Sequence, residues 1–145
     1  MIKVSTRGRY ALRALIDLAL QSDEEPVSRQ SIAERQAISA DYVAQLFRQL
    51  QRAGLVEGIK GPGGGYRLAR NAATITTLEV VQAVEGPVAL VDCVDPEADA
   101  SCSRVDRCTT RPLWRQLSTV MTDFLASITL QDLCNEVLEP QQVRE

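Results

Sequence analysis

SRQSIAERQAISADYVAQLFRQLQRAGLVEGIKGPGGGYRLAR, residues 28 to 70, is the stretch on which the fold turns. Ser28 has the chemistry of an N-cap, and Ile32 and Ala33 form the inner face of the short helix that follows it. A turn at Gln36-Ala37-Ile38 leads to Ser39, a second N-cap, with Asp41 placed near the positive end of the next helix dipole. Val43, Leu46, Phe47 and Leu50 then recur at i, i+3, i+4 and i+7, so this helix buries one stripe. Its other face carries Asp41, Tyr42, Ala44, Gln45, Arg48, Gln49 and Arg52, and Gly54 ends it as a left-handed terminal residue. Two short helices about a tight turn, the second turning hydrogen-bonding side chains outward, are the helix-turn-helix pattern, whose second helix enters the major groove of DNA.

Helical hairpins with polar outer faces are common, and the next residues separate this one from them. Leu55 to Lys60 and Tyr66 to Leu68 flank Gly61-Pro62-Gly63-Gly64-Gly65, which predicts a β-hairpin with a pliable tip, the wing of a winged helix. Lys60, Arg67 and Arg70 give this wing cations for phosphates or a narrow minor groove. A nucleotide-cradling loop would need Lys-Ser or Lys-Thr after the last glycine and a helix beyond, and Tyr66-Arg67-Leu68 stand there instead.

Upstream, Leu12, Leu15, Ile16, Ala19 and Leu20 share one face of a helix from Arg9 to Leu20, with Arg9, Arg13 and Asp17 off that face. The run Ser22-Asp23-Glu24-Glu25-Pro26 ends it. Downstream, Thr76 to Glu85 reads as a fourth helix closed by Gly86-Pro87, and residues 87 to 108 as an irregular polar loop. Thr109 to Ile128 is the longest predicted helix, with Leu113, Leu117, Val120, Met121, Phe124 and Ile128 on one stripe. So broad an apolar face beyond the compact domain suits either packing within the chain or contact with a second copy. The second fits the two-fold symmetry of palindromic DNA sites. Thr129 to Leu138 forms a last short helix. The expected organisation is a mainly α chain: a winged helix-turn-helix domain over 1–86, a cysteine loop over 87–108 and a dimerisation helix with a C-terminal helix over 109–145.

The formal charge of −3 hides an asymmetry. Residues 1 to 70 hold 11 Lys and Arg against 7 Asp and Glu, and residues 71 to 145 hold 5 against 12, giving +4 and −7. A basic first half suits a polyanion. No apolar run approaches the roughly 18 to 20 residues of a membrane span, and the first residues lack a signal peptide's apolar core, so a cytoplasmic protein without membrane contact is expected. The chain has no histidine, which excludes serine or cysteine nucleophile systems built on imidazole and histidine-ligated zinc. With no phosphate loop either, an enzyme is not expected. Cys93, Cys102, Cys108 and Cys134 remain, and in a reducing compartment they point to metal binding, redox sensing or plain burial. Thiolates suit iron-sulfur clusters or zinc, although zinc usually takes a close Cys-x-x-Cys pair that is absent here.

Ser5-Thr6-Arg7-Gly8-Arg9-Tyr10-Ala11, the helix-turn-helix from Ser31 to Ser39 with Tyr42 and Gln45-Leu46-Phe47, and the wing Gly61-Pro62-Gly63-Gly64-Gly65-Tyr66 closely resemble the Rrf2 family, nearest to its iron-sulfur-sensing IscR branch. Leu113-Trp114 and Ser127-Ile128-Thr129-Leu130 extend the resemblance over nearly the whole chain. It implies a dimeric winged-helix repressor or activator bound to double-stranded DNA, with Asp41, Tyr42 and Gln45 at base-reading positions and Lys60 at a basic wing position. With Ser39, Arg48 and Arg67 these make the candidate DNA-contacting set. Ala44 stands where some relatives carry an acidic residue. The resemblance further implies an iron-sulfur cluster held by Cys93, Cys102 and Cys108, 2Fe-2S in preference to 4Fe-4S. A cluster-free regulator that responds through thiol oxidation or a protein partner is the alternative. The pattern's fourth ligand, a histidine three residues after the last cysteine, is Arg111 here. Cys134, Asp92, Asp106, a group from the other subunit or a small molecule are the remaining candidates.

Overall fold

Both predicted serine caps open helices in the computed structural model, which describes residues 1–21, 25–98 and 102–136. The Ser28 hydroxyl accepts the Ser31 N–H at 3.1 Å at the head of α2 (Arg29–Gln36). Ser39 accepts the Tyr42 N–H at 3.1 Å at the head of α3 (Ala40–Arg52). Between the two helices Ala37 takes the left-handed conformation, φ 56°, and the Ile38 N–H donates to the Ala33 carbonyl at 3.1 Å. These bonds satisfy the carbonyls that the end of α2 would otherwise leave open, and they fix the angle at which α3 departs.

Gly54, φ 74°, turns the chain out of α3 into β1 (Val56–Ile59), which pairs antiparallel with β2 (Gly65–Leu68), Val56 opposite Leu68 and Ile59 opposite Gly65. This two-stranded sheet is the wing. Val27 and Tyr66 exchange both backbone hydrogen bonds at 2.8 Å, so the residue that leads into α2 serves as a third strand one residue long. The Tyr66 ring packs on Phe47 at 4.5 Å between centroids, in an edge-on arrangement, which ties the wing to α3 as well.

α1 (Thr6–Gln21) runs through the centre. Leu15 and Leu18 pack with Ile32, Val43, Leu46, Phe47 and Leu50, all essentially inaccessible to water. Each such side chain contributes about 1.5 to 3 kcal/mol relative to exposure. α4 (Thr77–Glu85) closes the core with Val80 and Val84, and Thr76 and Glu79 form a reciprocal capping box at its start. The Glu79 carboxyl lies below its usual range: burial pushes it up, but hydrogen bonds from the Thr76 N–H and from Arg70 outweigh that.

α5 (Arg111–Ser127) starts two residues later than the periodicity predicts, with Pro112 in its first turn, and α6 (Leu130–Cys134) is shorter than the predicted Thr129–Leu138. Leu138 and the tail beyond it lie outside the described residues, as do Ser22, Asp23 and Glu24. The end of α5 is bonded into the body: the Thr77 N–H donates to the Ile128 carbonyl at 2.8 Å and the Leu130 N–H to the Ile75 carbonyl at 2.9 Å. Leu130 itself joins the main core, so the C-terminal segment completes the interior of the winged domain.

Two expectations for α1 are corrected. Leu20, assigned to the apolar face, is 60% exposed, because the helix ends at Gln21 beyond the reach of its neighbours. Asp17, assigned away from that face, is buried and held by Arg35 and Gln36 of α2. Among the described residues no helix is long and apolar enough to cross a membrane.

Candidate nucleic-acid interface and cysteine loop

The outer face of α3 is open. Asp41, Gln45, Arg48 and Arg52 are exposed, and Tyr42 and Ala44 are half-buried. α1 positions Tyr42: its ring meets Tyr10 edge-on at 5.9 Å. Tyr10 in turn lies beneath the Arg13 guanidinium at 4.9 Å, and Arg13 donates to the Gln36 side chain and carbonyl. A tyrosine braced in this way loses little freedom on meeting a partner, and Gln45 one turn further along presents a donor and an acceptor to the same side. The Ser39 hydroxyl accepts the helix cap, which leaves its own proton free to donate.

The wing cations differ from one another. Arg67 is paired across the ladder with Glu57 at 2.9 Å, both side chains about half exposed, and Arg70 is paired with Glu79 at 2.7 Å. Lys60, at the tip, is exposed and has no such pair among the described residues. Exposed pairs are worth only about 0 to 1 kcal/mol, so a phosphate can displace Glu57 from Arg67, whereas Lys60 needs no exchange.

The structure brings Ser39, Asp41, Tyr42, Gln45 and Arg48 onto one helix face, with Lys60 and Arg67 on the hairpin that follows it. Arg7 was not singled out from the sequence as a site residue. It lines a cleft against α3 together with Arg48 and Arg52. The only sequence signal was its place in the Ser5-Thr6-Arg7-Gly8 start.

In the loop, Cys93 sits half-buried in a short 3-10 turn (Asp92–Val94), Cys102 is exposed and Cys108 is half-buried. Arg111, the first residue of α5, donates from Nε and Nη2 to the Cys93 carbonyl at 3.2 and 3.0 Å. The residue at the predicted histidine position therefore clasps the loop's entry to its exit. The Cys108 thiol is held below its usual range by a hydrogen bond with the Thr110 hydroxyl at 3.3 Å, and then by the Thr110 and Arg111 backbone N–H groups. Such a thiol is readily deprotonated, as iron ligation or oxidation requires.

Burial pushes the Cys134 thiol up. Cys134 ends α6, which packs on α1 and the Ala72–Thr74 turn, at the opposite end of α5 from Arg111. Seventeen helical residues span about 25 Å, so Cys134 is withdrawn as a fourth ligand within one chain.

Among the described residues no three Cys, Asp or Glu side chains are already gathered about a point that would hold a metal ion. The donors nevertheless fit an iron-sulfur cluster in kind. They are three soft thiols of one irregular loop, one of them acidified, with their fourth partner not supplied by Arg111 or Cys134.

Comparison with known proteins agrees with this geometry. The profile of the Rrf2 family, described as "Iron-dependent Transcriptional regulator", matches residues 4–136. The HTH-type transcriptional regulator IscR of Vibrio vulnificus is 46% identical over 140 residues, covering 95% of this chain and 82% of the relative. Among solved structures, T. potens IscR superposes with a TM-score of 0.75 at 34% identity, covering 99% of this chain and 94% of that one. CymR, the global cysteine regulator of B. subtilis, does so with a TM-score of 0.75 at 35% identity, covering 94% and 99%. Open recognition helix, pinned wing and these likenesses agree, and the chain belongs to the Rrf2 family as a winged-helix, DNA-binding transcription regulator rather than an enzyme.

Proposed function

We propose that two copies of this chain read a palindromic duplex in the cytoplasm and that an iron-sulfur cluster on Cys93, Cys102 and Cys108 sets their affinity for it. The observation that carries the DNA reading is the open face of α3 beside the wing. Asp41, Tyr42 and Gln45 meet base edges there, Ser39, Arg48 and Lys60 meet phosphates, and Arg67 does so after release from Glu57. Leu113, Val120 and Phe124, 57%, 63% and 50% exposed at helical spacing on α5, support the second copy, since water disfavours so much apolar surface along one helix.

The cluster, 2Fe-2S in this reading, supplies a group that forms only where iron and sulfide are available and that oxidants destroy. The three cysteines hold it, and Arg111 keeps the Cys93 end of the loop at the head of α5. The loop begins directly after α4, whose last turn touches α1 through the bond from the Arg7 guanidinium to the Val84 carbonyl. A change of loop order thus acts next to the DNA-contacting elements, as a shift of operator affinity requires. The names of the relatives, iron-dependent regulators and IscR, support this reading.

The test purifies the wild type without oxygen, measures iron, sulfide and visible absorption, and selects bound duplexes from a randomised pool. The wild type is expected to be brown and to carry iron and sulfide. Cys93→Ser, Cys102→Ser and Cys108→Ser are each expected to lose the colour while keeping the melting temperature of the metal-free wild type. Gln45→Ala is expected to lose about 2 kcal/mol on the selected duplex and far less on random DNA. A colourless wild type whose affinity changes only after peroxide would replace the cluster with a thiol switch at Cys108. Equal losses on both duplexes would remove Gln45 from base reading.

A further inference from the structure

We propose that Arg7, Arg48 and Arg52 form a seat for a backbone phosphate of the DNA, held in place from α4, on the shoulder of α3 beside its base-reading residues. The proposal rests on the DNA-binding reading and names a contact beyond it. The three arginines line one open cleft of about 330 Å³, completed by Tyr42, Gln45 and Gln49. No lining residue is acidic. Among the described residues, the ion pairs engage Arg35, Arg67 and Arg70 and leave these three without a carboxylate. The Glu85 carboxylate does not line this cleft and accepts the Gly8 N–H at 3.3 Å at the head of α1.

Three arginines and no acidic side chain along one concavity make it a positive surface for an anion, and planar guanidinium forks match a phosphate better than any neutral group. Tyr42 and Gln45 border the cleft on its base-reading side, and the two α3 arginines lie further along the helix. The first turns of a recognition helix reach into the groove, and its later turns rise toward the strand beside it. Arg48 and Arg52, one turn apart in the second half of α3, occupy that rise.

Arg7 reaches the cleft from a different element. Its Nη1 donates to the Val84 carbonyl at 3.2 Å, which fixes the guanidinium on the last turn of α4. Its remaining N–H groups are left for the anion. The seat is therefore assembled from α1 and α3 and trued by the last turn of α4, just before the cysteine loop begins at Pro87.

Full-length protein is titrated at several salt concentrations with two labelled duplexes, one of random sequence and one recovered from the randomised pool. Arg7→Ala and Arg52→Ala are each expected to lower the salt slope by about 0.9 per subunit. Both duplexes should weaken by the same factor, and the ratio between them should stay unchanged. Arg7→Lys keeps the charge and is expected to keep the slope. Thermal midpoints within about 2 °C of the wild type show that the variants are folded, and Arg52, on an exposed helix face, provides the readout if Arg7→Ala does not fold. Wild-type binding with an unchanged slope in Arg52→Ala, and in Arg7→Ala where that variant folds, overturns the seat and leaves the regulatory reading standing, and so does a loss confined to the selected duplex. Failure of the wild type to bind either duplex overturns both.

Discussion

Gly65→Ala is expected to cost about 3 kcal/mol and to lower Tm by about 10 °C, whereas Gly63→Ala, two residues away in the same wing, costs about 1 kcal/mol. Both glycines have positive φ, 153° at Gly65 and 74° at Gly63, but their surroundings differ. A Cβ on Gly63 meets open space, so only the backbone preference is lost. A Cβ on Gly65 collides with the carbonyl of Val27 and would stand 2.5 Å from its carbonyl carbon, and these are main-chain atoms with no rotamer to yield. Relief requires β2 to move off Val27. That breaks the two 2.8 Å bonds between Val27 and Tyr66 and loosens Tyr66 from Phe47. Thermal unfolding followed by circular dichroism compares the two variants. Equal losses would show that the collision is absorbed and that the wing is not fastened at Val27.

Arg35→Met is expected to destabilise the chain by about 3 kcal/mol, and adding Asp17→Leu to recover most of that loss. Arg35 donates to Asp17 from Nε at 2.9 Å and from Nη2 at 2.8 Å, and the Gln36 side chain adds a third donor at 2.9 Å. The paired carboxylate pushes the Arg35 guanidinium still higher than its usual range, first through the hydrogen bond. The Asp17 side chain is 3% exposed and that of Arg35 38%, so the substitution removes the watered partner and strands the buried one. Breaking a buried pair from one side costs about 3 to 5 kcal/mol, and the access of water to Arg35 places this case at the low end. Replacing both residues with apolar ones strands no charge, and the half-buried Gln36 amide that loses its acceptor can turn to water. A double variant that is less stable than Arg35→Met would show that the pair contributes through specific geometry rather than through avoidance of an unpaired charge. A denaturant titration of the three variants measures this.

Most of the winged helix was legible because its signals are local. Ser28 and Ser39 cap helices by bonding three residues ahead, and the glycine-proline cluster bends the chain wherever it falls. The stripe Val43, Leu46, Phe47 and Leu50 points inward on any helix with that period, and all four are buried. What was missed depends on contact between distant residues. Asp17 reads as a solvated charge until α2 lays Arg35 across it, 18 positions later. Arg67 reads as a free cation until the strand register sets Glu57 opposite. The cleft at Arg7 needs α1, α3 and α4 together, and no periodicity within one helix announces such a junction. In the cysteine loop the family resemblance implied three thiol donors but not the part played by Arg111, whose guanidinium has five donors to place.

That guanidinium makes the belt between Cys93 and Arg111 a buckled one even in the apoprotein. Chain closure, which opposes capture of the proposed cluster by an amount that grows with the logarithm of the enclosed length, is met in part by this bond alone. In the proposed cluster-bound regulator, two posts that stay planted whether or not the metal is present would keep such a switch from coming undone.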